Sequence, residues 1–105
     1  MFVGMLECDL LLGDVHSLKA KRAVLRPLLA RLKRLEVSAA EVGDADLHRR
    51  AVIGVAVVSG QPSVAGRVLD ECERIVADNV ECQLLSARRR TVSIDDPASP
   101  ATEHD

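Results

Sequence analysis

Hydrophobic and polar positions change period several times along this chain, and each change marks an element. From Phe2 to Leu12 the period is two: Phe2, Leu6, Cys8, Leu10 and Leu12 share one face with Gly4, and Glu7 and Asp9 take the other. That alternation predicts a strand with one covered face. Gly13-Asp14 predicts a turn and Ser17 a helix cap. From there to about Leu35 the period is helical, with Leu18, Leu25, Leu28, Leu29, Leu32 and Leu35 in one stripe. Pro27 falls inside this stretch and predicts a kink or local break, because it removes one backbone donor.

Val37 to Gly43 predicts a short second strand, and Gly43-Asp44-Ala45-Asp46 a polar connection. Arg50 to Ser59 is rich in β-branched residues and apolar on both faces, which predicts a central third strand. After the turn Gly60-Gln61-Pro62-Ser63, a second helix is expected from about Val64 to Asn79, with Val64, Val68, Leu69, Cys72, Ile75 and Val76 on its apolar side. Val80 to Ile94 predicts a fourth strand, broken near Arg88-Arg89-Arg90. The order βαββαβ predicts a ferredoxin-like α+β fold, a four-stranded antiparallel sheet with both helices on one face. One domain is expected over residues 1–94. Residues 95–105, DDPASPATEHD, predict a disordered acidic tail.

Charge sharpens this picture. The formal net charge is −2, with no general bias toward polyanions. Its distribution is uneven: the last fifteen residues hold four acids and no Lys or Arg, whereas residues 1–90 hold 14 basic and 12 acidic side chains. Within the first helix lie Lys19, Lys21, Arg22, Arg26, Arg31, Lys33 and Arg34, with no acid among them. At about 100° per residue, Lys19, Arg22, Arg26 and Lys33 cluster on one side. The stripe lacks the i,i+4 partners of an ordinary solvated helix. Its cations also crowd the N-terminal end, where the helix dipole favours negative charge. Ser17, Lys19, Lys21, Arg22, Arg26, Lys33 and Arg34 are therefore the candidate anion-binding residues, and Arg88, Arg89 and Arg90 a candidate second patch. Lys21 differs from the rest because it projects into the apolar stripe. A lysine there predicts an ion pair with Glu41, Glu7 or Asp9.

Other chemistry is thin. The cysteines Cys8, Cys72 and Cys82 are odd in number and lie in apolar runs, which predicts free core thiols and a reducing, cytoplasmic setting. Asp44, Asp46 and His48 are spaced for a metal, but two oxygens and an imidazole define no coordination set, and a polar turn accounts for them equally well. No catalytic constellation, metal site or cofactor loop is expected. Phe2 is the sole aromatic residue, so a base-stacking platform is excluded. The longest apolar run, Ala51 to Val58, is too short to span a bilayer.

Four strings carry a family resemblance: Val3-Gly4-Met5-Leu6, Ser17-Leu18-Lys19-Ala20-Lys21-Arg22, Val37-Ser38-Ala39-Ala40-Glu41-Val42-Gly43-Asp44 and Ala51-Val52-Ile53-Gly54-Val55-Ala56. Together they resemble the bacterial YlxP family, a domain of unknown function, over about residues 1–90. The resemblance implies a ferredoxin-like fold. Family genes often neighbour those of translation initiation factor two and ribosome-binding factor A, which implies work on RNA or the ribosome. Leu35-Glu36-Val37 stands where many relatives carry Phe-Asn-Val, which removes an aromatic. The expected function is thus a non-catalytic accessory protein binding structured RNA or a ribosomal particle through the first helix. The alternative is an interaction module that homodimerises through its open sheet face or an edge strand.

Overall fold

A computed structural model describes residues 1–97. The elements are β1 (Phe2–Leu12), α1 (Leu18–Lys33), β2 (Ser38–Gly43), β3 (Arg50–Ser59), α2 (Pro62–Ala77) and β4 (Cys82–Ser93). The sheet order is β2-β3-β1-β4, and every neighbouring pair is antiparallel. This is the ferredoxin-like α+β arrangement that the period changes predict. Residues 98–105, most of the expected disordered tail, lie outside the described residues.

The core forms where the period-2 face of the strands meets the 3.6-period stripes of the helices. Leu6, Cys8, Leu10 and Leu12 of β1 and Ala51, Ile53, Val55 and Val57 of β3 are buried on the same side of the sheet. Val24, Leu25, Leu28 and Leu32 of α1 cover them from above, with Ala65, Leu69, Cys72 and Val76 of α2. Gly4 lets α2 approach β1 closely: a Cβ there would lie 3.0 Å from Leu69 Cδ1 and 3.3 Å from Ala65 Cβ. No helix of the described residues is long and apolar enough to cross a membrane.

Two expected breaks are absent for identifiable reasons. The helix α1 runs unbroken through Pro27. Proline frees the carbonyl four residues back, here that of Ala23. Both Pro27 and Ala23 are exposed, so water can satisfy the orphaned oxygen. Strand β4 likewise continues through Arg88-Arg89-Arg90. Its irregularity falls earlier, where Asp9 pairs with Ser86 but Leu10 pairs with Leu84, leaving Leu85 as the extra residue. That bulge turns Leu84 and Cys82 toward the core. A second shift, between Glu41 and Gly43, leaves Val42 extra in β2. Helix ends also move by about two residues: α1 stops at Lys33, and α2 starts at Pro62, which occupies the first turn, where a missing N–H costs little.

The three thiols are buried and unpaired. Burial pushes the Cys8 thiol up to about 12, with Glu73 adding to the shift, and burial likewise raises Cys72 and Cys82. The folded state thus holds these groups neutral after the unfolded chain, near the ordinary value of 9.0, begins to ionise. Stability is unaffected by these thiols below pH 9 and falls as pH rises from there toward 12. Iodoacetamide at pH 8 should label the native protein far more slowly than the urea-unfolded chain. Equal rates would show that the thiols are accessible.

Candidate functional site

Helix α1 begins at a well-made cap. Ser17 has extended backbone and its Oγ accepts the Ala20 N–H at 3.0 Å. The Ser17 hydroxyl oxygen is thus committed to the helix. Beyond it the structure divides the seven basic residues into two groups. Lys19, Arg22, Arg26, Arg31, Lys33 and Arg34 are exposed. Among the described residues, none of these six lies within ion-pairing distance of a carboxylate. Lys19, Arg22, Arg26 and Lys33 form the outward row, about 21 Å long at 1.5 Å per residue.

Lys21 is the exception, and it leaves the anion-binding set. Its side chain points into the core layer and is 1% exposed. The ammonium lies 2.7 Å from Glu41 Oε2 and donates to Asp44 O and Leu47 O, each at 2.7 Å. The contact with Glu41 is ionic without good hydrogen-bond alignment, since Oε2 has no hydrogen-bond partner. Of the three carboxylates expected from sequence, Glu41 is the partner. Glu7 pairs instead with Arg88, and Asp9 with Arg50 at 2.9 Å.

The consequence is a fixed β2–β3 connection. Asp44 takes a left-handed backbone with φ 58, and its carbonyl accepts both the Lys21 ammonium and the Leu47 N–H. Asp46 sits in that turn. Asp44, Asp46 and His48 are exposed, and among the described residues no three metal-capable side chains converge.

The arginines of β4 do not form one patch. Adjacent strand residues point to opposite faces, so Arg89 turns to the helix side and Arg88 and Arg90 to the open side. Arg89 bridges to Asp70 Oδ1 at 2.7 Å and Glu73 Oε1 at 3.1 Å on α2. Burial opposes its charge, but those two hydrogen bonds and the two anions outweigh it and raise its pKa. Arg89 is thereby a strut between strand and helix. Arg88 is held by Glu7, and Arg90 alone has no carboxylate partner among the described residues.

The open face holds a feature that the sequence did not single out. A depression of about 670 Å³ is floored by Ala40, Gly54 and Ala56 and walled by Met5, Val42 and Arg90. Val42 lies directly over Gly54, where a Cβ would meet Val42 Cγ1 at 2.9 Å. The signal available in sequence was the small, uncharged composition of Val52, Gly54 and Ala56 at alternate positions of β3.

A protein from Bacillus subtilis (strain 168), described as "Uncharacterized protein YlxP", is 41% identical over 58 residues, which are 54% of this chain and 63% of that protein. The match thus spans less than two thirds of the relative's length. The family described as "Protein of unknown function (DUF503)" matches residues 3–89, which run from β1 into β4 and include both helices. The chain belongs to that family.

Proposed function

We propose that this protein is a non-catalytic accessory factor that binds the phosphate backbone of structured RNA, free or in a ribosomal particle, through the exposed face of α1. The observation that carries the reading is the row of unpaired cations on α1. Elsewhere the chain pairs its guanidinium groups readily, as at Arg50, Arg74, Arg88 and Arg89. The acids Asp70, Glu71, Glu73 and Asp78 instead gather on and after α2. Segregation of this kind leaves a positive potential over one helix, which draws a polyanion and adds nothing to stability. The row lacks aromatics and fits regularly spaced phosphates better than splayed bases.

Binding by this face is electrostatic and therefore falls steeply with salt. Each phosphate neutralised contributes about −0.9 to the slope of log affinity against log salt for a B-form duplex, and an A-form duplex should behave comparably. Four to five contacts predict a loss of about 10²- to 10³-fold between 50 and 200 mM salt. Fluorescence anisotropy with a short RNA duplex tests this. Arg22→Glu/Arg26→Glu should weaken binding by about tenfold or more at 100 mM salt and reduce the slope by about two. Wild-type affinity in that variant, or no binding by the wild-type protein at 50 mM salt, would sink the proposal.

A further inference from the structure

We infer that the open face of the sheet is an interface between two copies of this chain, packed sheet to sheet about a twofold axis that runs along the strands. The proposal does not depend on the RNA reading, since it concerns the opposite layer of the molecule.

The first argument is composition. A sheet face that meets water normally carries polar residues at alternate positions. On the open side β3 carries Val52, Gly54, Ala56 and Val58. Beside them stand Met5 and Val42, which are 37% and 55% exposed, while Val58 is 66% exposed. These side chains adjoin in the register, Met5 opposite Ala56 and Val3 opposite Val58. They make one continuous apolar surface.

The second argument is charge, and it selects the occupant. Both acids next to this surface are already neutralised within the chain, Glu7 by Arg88 and Asp9 by Arg50. The Asp9 hydrogen bond, followed by its charge, raises the Arg50 pKa. A partner for this face needs an apolar centre and need bring no net charge. A second copy of the face meets both conditions. Arg90 sits on the edge strand and can stay in water at the rim.

The third argument is area. Strands spaced about 4.8 Å apart and rising about 3.3 Å per residue give the face roughly 500–600 Å² in projection. Two such faces bury roughly 1,000–1,200 Å², the lower end for a specific dimer, which fits micromolar rather than nanomolar association.

Register then fixes the axis. A twofold across the strands would stack β4 on its own copy and oppose Arg88 and Arg90 to themselves. A twofold along the strands sets β4 over the partner's β2, whose open-side residues Ser38 and Ala40 are small and uncharged. It also sets β1 over β3 at unchanged height. Because Met5 and Ala56 are cross-strand neighbours, Met5 then enters the depression above the partner's Ala56, and the partner's Met5 does the same in return. The resulting four-layer dimer carries one α1 on each outer side.

Sedimentation equilibrium on the full chain at about 50 μM, without nucleic acid, tests the inference in the range where micromolar association is populated. The wild-type protein should run at twice the 11.3 kDa chain mass. Ala56→Arg should run at the chain mass with an unchanged circular dichroism spectrum. Should Ala56→Arg fail to fold, Val58→Asp, at a mostly exposed side chain, should give the same halving. Arg22→Glu/Arg26→Glu should stay dimeric, which separates this interface from the RNA surface. A monomeric wild-type protein, a folded dimeric Ala56→Arg or Val58→Asp, or a monomeric Arg22→Glu/Arg26→Glu would each overturn it.

Discussion

Replacing Lys21 by alanine should cost about 3–5 kcal/mol of folding stability, the range for removing one partner of a buried ion pair. Three losses combine at this position. The Glu41 carboxylate, with its side chain 26% exposed, keeps its charge but loses its counterion. The carbonyls of Asp44 and Leu47 lose a donor. The buried methylene stem leaves a void in the layer formed with Val24, Leu25 and Leu28. These terms overlap, so they do not add. A domain of this size is stable by about 5–15 kcal/mol, so the variant should lose about a fifth or more of its margin. Urea denaturation monitored by circular dichroism should show a lower midpoint with little change in slope. Lys21→Met/Glu41→Gln should recover much of the loss, because it removes both charges and keeps most of the volume. A loss below about 1 kcal/mol in Lys21→Ala would place Lys21 among ordinary surface lysines.

Gly4→Val should destabilise the fold by about 2–3 kcal/mol, the usual scale for overpacking. The added carbons meet Leu69 Cδ1, Val57 Cγ1 and Ala65 Cβ at 3.0, 3.2 and 3.3 Å from the first atom alone. Leu69 can rotate away, but Ala65 has no rotamer to change, so α2 must lift from β1. The melting temperature should fall by about 10–15 °C. Gly54→Ala is the control. The nearest atoms to its new methyl all belong to Val42, an exposed side chain that can swing aside. Its melting temperature should move by only a few degrees. A Gly4→Val variant as stable as Gly54→Ala would mean that the close approach of α2 to β1 is not real.

The order of elements was legible because most changes of hydrophobic period coincided with a turn residue, the exception being α1 to β2, where Glu36 takes the left-handed backbone with φ 60. The Lys21 ion pair was legible for a related reason. A lysine inside a leucine stripe demands a partner, and the chain offered few acids nearby. What escaped the sequence depended on register across strands. Arg88, Arg89 and Arg90 read as one basic run, yet period-2 alternation splits them between two faces, and only the position of α2 shows that Arg89 meets Asp70 and Glu73. Glu7 could have served Lys21 as well as Glu41 did on sequence grounds. The register put Glu7 on the open face beside Arg88 and turned Glu41 to the core side. The α1 stripe was shifted slightly. Val24 joins its buried set, while Leu18, Leu29 and Leu35 are only half-buried at its margins.

The bulge at Leu85 also bears on how this chain avoids the wrong associations. Strand β4 is twelve residues long and lies at the sheet edge, so its outer N–H and C=O groups offer a template for further strands. A long, flat, apolar edge would recruit copies into fibres. Here the bulge bends the strand near one end, and three successive arginines occupy the other. Another β4 laid antiparallel and centred on Arg89 would oppose those arginines to each other. The residues that read as a second binding patch thus also oppose edge-to-edge pairing of β4, a use of charge distinct from ligand binding.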